Sequence, residues 1–152
     1  MPLYTGNVFS GEKQKKKGLV RYLTISRLSD NYGKNPEERL WKADKYDLFD
    51  FWLPNIAPIG KNVNDFYQGK IDWNEFSKRY QSHLTSEQIF PFLLKLTREA
   101  IEYDLNDSYK GIVLQCVCPS HEHCHRKLLA ERISDIARDR FNNDDLRIIH
   151  LK

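Results

Sequence analysis

The chain has 152 residues, 40% hydrophobic and 30% charged, with a net charge of +3; this is the balance of one soluble globular domain over residues 1–152. Eight Tyr, eight Phe and three Trp exclude a disordered chain, and no apolar run approaches the roughly 18 residues that span a membrane. A charge this mild does not by itself point to nucleic acid.

Leu3 to Phe9 is a short apolar-aromatic run that predicts the first strand. SGEKQKKKG follows and reads as a polar loop, its lysines Lys13, Lys15, Lys16 and Lys17 a solvated surface rather than a phosphate patch. Leu19 to Ile25 predicts the second strand, ending at Ser26 and Arg27. LSDNYGKNPEER is then turn-forming, with Asp30, Gly33 and Pro36 as breakers. Residues 37–70 give a dense apolar patch without clean periodicity, and Pro54 and Pro58 argue against regular structure around them. Asn62 to Gln68 predicts a short helix ending at Gly69.

Asp72 is a good N-cap for a helix carrying Trp73, Phe76, Tyr80 and Leu84 on one face. A second helix follows from about Ser86 with an apolar stripe from Ile89 to Ile101; it must begin late enough to leave Pro91 in its first turn. Ile112 to Cys118 predicts a buried central strand. A helix opens near Cys124, with Leu128, Leu129, Ile133, Ile136 and Ala137 as its core face, and ends near Asn142. Leu146 to Leu151 predicts a closing strand. Strand, helix and strand at this end make a βαβ unit, which needs parallel pairing. The expected fold is α/β, a small three-layer domain with a mostly parallel sheet flanked by helices on both faces. Trp41, Trp52 and Trp73 read as core anchors, and His83 and His150 as ordinary residues.

All three cysteines fall in this last unit. Three cannot all pair within one chain, and the first residues hold no apolar signal core, so the expectation is a cytoplasmic protein with reduced thiols and no membrane partner. Cys116 and Cys118 are two apart on a strand and share a face, while Cys124, His125 and Arg126 lie at a helix start. A strand handing over to a helix presents unpaired N–H groups and a positive dipole end, which favours anions and thiolates.

Three readings stand. In the first, Arg126 and Arg27 bind an anionic small molecule or a nucleic-acid end, Cys124 is a nucleophile, His125 carries the proton, and Ser26 and Cys116 complete the pocket. The phosphatase loop is excluded, because position 120 is Ser. In the second, Cys116, Cys118 and Cys124, with His121, His123 or His125, hold zinc or iron. In the third, the thiols are small buried hydrophobes and Arg126 is structural, leaving at most a non-catalytic nucleic-acid-binding module with a lysine loop.

Cys116 followed by Cys124-His125-Arg126 and Leu129-Ala130 resembles the family known as domain of unknown function 488. Thr24 to Arg27 with Asp30 and Gly33, Ala57-Pro58, and Tyr67 to Trp73 with Phe76 and Tyr80 resemble it as well. The resemblance covers roughly residues 3–150 and implies an α/β fold with a shared polar site, without a settled activity. In one departure, many relatives carry an acidic residue where this chain has Cys118, so a carboxylate base is replaced by a further thiol.

Overall fold

The computed structural model describes residues 2–26, 47–102, 110–118 and 123–152. Five strands are formed there: β1 (Pro2–Asn7), β2 (Leu19–Leu23), β3 (Phe51–Trp52), β4 (Gly111–Cys116) and β5 (Arg147–His150). Each neighbouring pair is parallel, in the order β3-β2-β4-β1-β5. Every residue of β2 and β4 is buried, as expected of central parallel strands covered on both faces.

Five α-helices accompany these strands among the described residues: α1 (Gly11–Lys16), α2 (Gly60–Tyr67), α3 (Trp73–Leu84), α4 (Phe90–Glu102) and α5 (His125–Phe141). Asp72 caps α3 by accepting from the Glu75 N–H at 2.8 Å, and Pro91 lies in the first turn of α4, as the spacing required. Asn142, in the left-handed region at φ 50°, ends α5.

The two faces of the sheet differ in chemistry. On one, Leu3, Val20, Tyr22, Ile112 and Leu114 pack with Leu93, Leu96 and Ala100 of α4 and Leu129, Ala130 and Ile133 of α5. The alternate positions Gly6, Arg21 and Gln115 face α1 and the chain at residues 47–50. There the Gln14 amide donates to the Asn7 carbonyl at 2.9 Å, and the Gln115 amide donates to Gln14 Oε1 and to the Leu48 carbonyl at 2.6 and 2.8 Å. Arg21, fully buried, is held by Asp50 and Asp47. Helices on both faces of a parallel sheet confirm the expected α/β class.

The structure corrects several expectations. SGEKQKKKG is not a loop: it contains α1, anchored by the buried Gln14, with its lysines outside. β1, β2 and β4 each stop about two residues earlier than their apolar runs: Val8 opens a 3-10 turn, Ile25 lies past the end of the ladder, and the chain bends at Val117. β4 and β5 do not pair; β1 lies between them. Trp52 is in the two-residue edge strand β3, and Pro54 opens a 3-10 turn after it. Neither Trp52 nor Trp73 is a core anchor, since both stay partly exposed. The expectations placed on Arg27, Asp30, Gly33, Pro36, Trp41 and His121 lie outside the described residues.

Candidate functional site

α1, on the connection from β1 to β2, covers one face of the sheet, while α5, from β4 to β5, covers the other. β1 and β4 are neighbours, so their carboxyl ends send the chain to opposite sides and open a crevice between them. Asn7, Cys116 and the loop leading to α5 lie at that point.

The backbone at the crevice is pinned first. Asn7 Nδ2 donates to the carbonyls of Cys118 and Val117 at 2.9 and 3.3 Å, and Arg126 Nη1 donates to those of Cys118 and Gly6 at 3.0 and 3.1 Å. Two side chains thus hold the Cys118 carbonyl and set where its thiol points. Arg126, expected to grip an anion, is buried and spends these bonds on main-chain oxygens; its Nε has no acceptor among the described residues.

The thiols meet in front of this frame. Cys116 Sγ lies 3.5 Å from Cys118 Sγ, and Cys118 Sγ lies 3.5 Å from the Tyr67 hydroxyl. His125 Nδ1 is 3.7 Å from Cys116 Sγ, while its Nε2 lies 2.5 Å from the Thr24 carbonyl. A carbonyl only accepts, so Nε2 carries a proton and Nδ1 is the nitrogen presented to sulfur. Cys116 and Cys124 are buried; Cys118 is half-buried and reachable. The donor atoms of Cys116, Cys124 and His125 all lie within 4.8 Å of one another and could hold a metal ion. Cys118 is not in that mutual set.

Ile25, Ser26, Pro58, Phe66, Tyr67, Phe76 and His123 join the sulfurs in lining a hollow with about 20 Å³ of free volume, which is room for one water-sized group. Phe66, Trp73 and Phe76 pack together above it, and the His123 ring stacks on Trp73 at 5.0 Å. His123 has φ 47°, an uncommon conformation for a residue with a side chain, and turns the chain into α5 directly after it.

Electrostatics divides the three thiols. Hydrogen bonds from Cys116 and Cys124, then from Tyr67, with the charge of His125 nearby, hold the Cys118 thiol well below the ordinary thiol range against its partial burial. Burial and the Cys118 charge push Cys116 up to about 12. Cys124 is raised by the two neighbouring sulfurs and by burial. Burial opposes a charge on His125, but Cys124, Cys118 and the Thr24 carbonyl outweigh it, so its imidazole lies above its usual value. Of the three sulfurs, the most exposed, Cys118, gives up its proton first.

The family model DUF488-N3a, described as the active DUF488-N3 subclade, matches residues 8–137. The chain belongs to the domain of unknown function 488 family. No curated protein and no solved structure matches it.

In this member of the family, the structure brings together Cys116, Cys118, Cys124, His125 and Ser26 from the sequence-predicted set, turns Arg126 to the backbone, and leaves Arg27 and His121 outside the described residues. Sequence reasoning missed Thr24, Tyr67 and Asn7, which position the thiols through a main-chain carbonyl, a hydroxyl and an amide. Their only signal was that Tyr67 and Thr24 fall in segments that resemble the family. No helix among the described residues is long and apolar enough to cross a membrane.

Proposed function

We propose that this protein is a thiol-dependent enzyme in which Cys118 is the nucleophile. The observation that carries this reading is positional: Cys118 Sγ is the most exposed sulfur of the cluster and takes hydrogen bonds from the Cys116 thiol and the Tyr67 hydroxyl. Cys124, the nucleophile expected from the motif, is sealed in and kept protonated. His125 then serves as the proton carrier, working through Cys116, while Arg126 and Asn7 hold the loop that presents Cys118.

The substrate proposal remains an anionic, nucleotide-like metabolite or a nucleic-acid end, in a reducing cytosolic setting. Flat faces at Phe66 and Tyr67 and the α5 N-terminus beside the thiols favour it. The hollow admits only the reacting group, so the body of the substrate lies outside, over Tyr67 and His123. Limited alkylation with iodoacetamide followed by peptide mapping tests the assignment. Cys118 should be modified before Cys116 and Cys124, and Cys118→Ser should abolish fast labelling where Cys124→Ser preserves it. First modification of Cys124 would reject it.

A second reading is favoured by one distance pattern. Two sulfurs on a tetrahedral zinc with bonds of about 2.3 Å lie about 3.8 Å apart; Cys116, Cys124 and His125 are gathered on nearly that scale, and Thr24 orients the imidazole as an outer partner of a metal ligand does. In that case these three residues would hold zinc or iron as a Lewis-acidic or structural ion. Stoichiometric metal in protein purified without added metal would favour this second reading.

A further inference from the structure

Cys118 does not stand alone: the Sγ of Cys116, a thiol of the same strand end, lies 3.5 Å away and is shut off from solvent. A disulfide needs Cα atoms about 4.4–6.8 Å apart. Residues two apart on an extended strand are separated by about 6.6 Å, at the upper edge of that window. The chain leaves β4 at Cys116 and bends at Val117, which shortens the span. The pair is therefore close to bonding geometry without any shift of another element. Cys124 also hydrogen-bonds to the Cys118 sulfur, but it reaches it from the N-cap of α5, six residues further along the chain.

We propose that Cys118 is an oxidation site for hydroperoxides, and that Cys116 resolves the product to a Cys116–Cys118 disulfide. The inference rests on the reading of Cys118 as the accessible, reactive sulfur. In the first step, Cys118 sulfur attacks one peroxide oxygen, the O–O bond breaks, and the alcohol or water leaves with a proton, giving a sulfenic acid. In the second, Cys116 sulfur attacks Cys118 sulfur, the S–O bond breaks, and hydroxide leaves as water with the Cys116 proton. Two thiols are oxidised by two electrons and one hydroperoxide is reduced. The hollow fits this chemistry, because its free volume admits a group the size of water or of a peroxide oxygen. A disulfide here would remove the nucleophile, so the proposed enzyme would be switched off by peroxide and restored by a dithiol.

The test uses the reduced full chain with one equivalent of hydrogen peroxide, mapped by mass spectrometry beside limited iodoacetamide labelling of an untreated sample. The peptide carrying Cys116 and Cys118 should become lighter by two hydrogens, about tenfold faster than glutathione is oxidised under the same conditions, and should recover with dithiothreitol. Cys116→Ser, or Cys116→Ala where serine is not tolerated at the buried site, should stop at a sulfenic acid that a cyclic dione traps on Cys118. If Cys118 takes iodoacetamide first but no disulfide forms, or the disulfide runs to Cys124, the resolving role of Cys116 is overturned and the nucleophile assignment stands. If Cys118 is not labelled first, both fall.

Discussion

The Nε2–H of His125 donates to the backbone carbonyl of Thr24 at 2.5 Å, and this bond decides which side of the imidazole meets the sulfurs. Nδ1 faces Cys116 at 3.7 Å, and Cys116 in turn donates to Cys118 at 3.5 Å. Imidazole, buried thiol and half-exposed thiol form one relay from the end of β2 to the mouth of the hollow. Because the acceptor on Thr24 is main chain, the relay is set by the fold and not by a side chain that a single substitution removes.

The relay predicts the outcome of His125→Asn. Without the imidazole, Cys118 loses a nearby positive charge, so the pH at which its alkylation reaches half its maximum should rise by about one unit, or about 1.4 kcal/mol. Alkylation rates against pH, followed by mass spectrometry, read this directly. An unchanged midpoint would remove His125 from the relay.

Arg126→Met separates a structural arginine from an anion-binding one. The Gly6 carbonyl loses its bond from Arg126 and the Cys118 carbonyl keeps only the one from Asn7, so the substitution should destabilise the fold by about 2–4 kcal/mol. A shifted urea midpoint would show it. A variant of undiminished stability that fails to bind inorganic phosphate would instead return Arg126 to the role first expected of it.

The buried Arg21 sets an acid limit on stability. Burial opposes ionisation of Asp50, but its bonds to Arg21 prevail and hold its carboxyl below the usual range; Asp47 is lowered by Lys15 and Arg21. A carboxylate depressed in the folded state stabilises above its unfolded value, about 3.9, and that contribution is lost as pH falls through the folded value. Urea midpoints should therefore hold near neutrality as far as this pair is concerned and fall below about pH 4. Asp50→Asn should be less stable at pH 7 and lose less on acidification.

Gly11→Ala probes the packing of α1. An added Cβ would sit 2.0 Å from the Leu48 carbonyl oxygen, a main-chain atom that cannot rotate away. Overpacking of this kind costs about 1–3 kcal/mol or more. A melting temperature several degrees lower, with Cys118 labelling unchanged in the folded fraction, is the expected result.

Much of the fold was legible because its signals are local. Alternation and apolar runs marked four strands; Asp72, Pro91 and Asn142 marked helix ends. α1 was hidden because GEKQKK has no apolar stripe: its inward residue is Gln14, satisfied only by Asn7 and Gln115 from other strands. Arg21 hid in an apolar run for the same reason, since its carboxylates come from residues 47 and 50. The cysteine cluster could be located from spacing, but the roles within it could not. Exposure separates Cys118 from Cys124, and that depends on how β4 ends and how α5 covers its own first residue. Spacing pointed to Arg126 as an anion ligand; that its Nη1 reaches two backbone carbonyls depends on how β1 and the end of β4 lie side by side.

The rate of Cys118 alkylation in the full chain as a function of pH, resolved from Cys116 and Cys124 by peptide mapping, decides whether Cys118 is the activated sulfur. Cys118 should react first, and its rate should reach half its maximum well below pH 8.5, the ordinary thiol value. A half-maximum at or above that value, or labelling of the three cysteines only on unfolding, would contradict it.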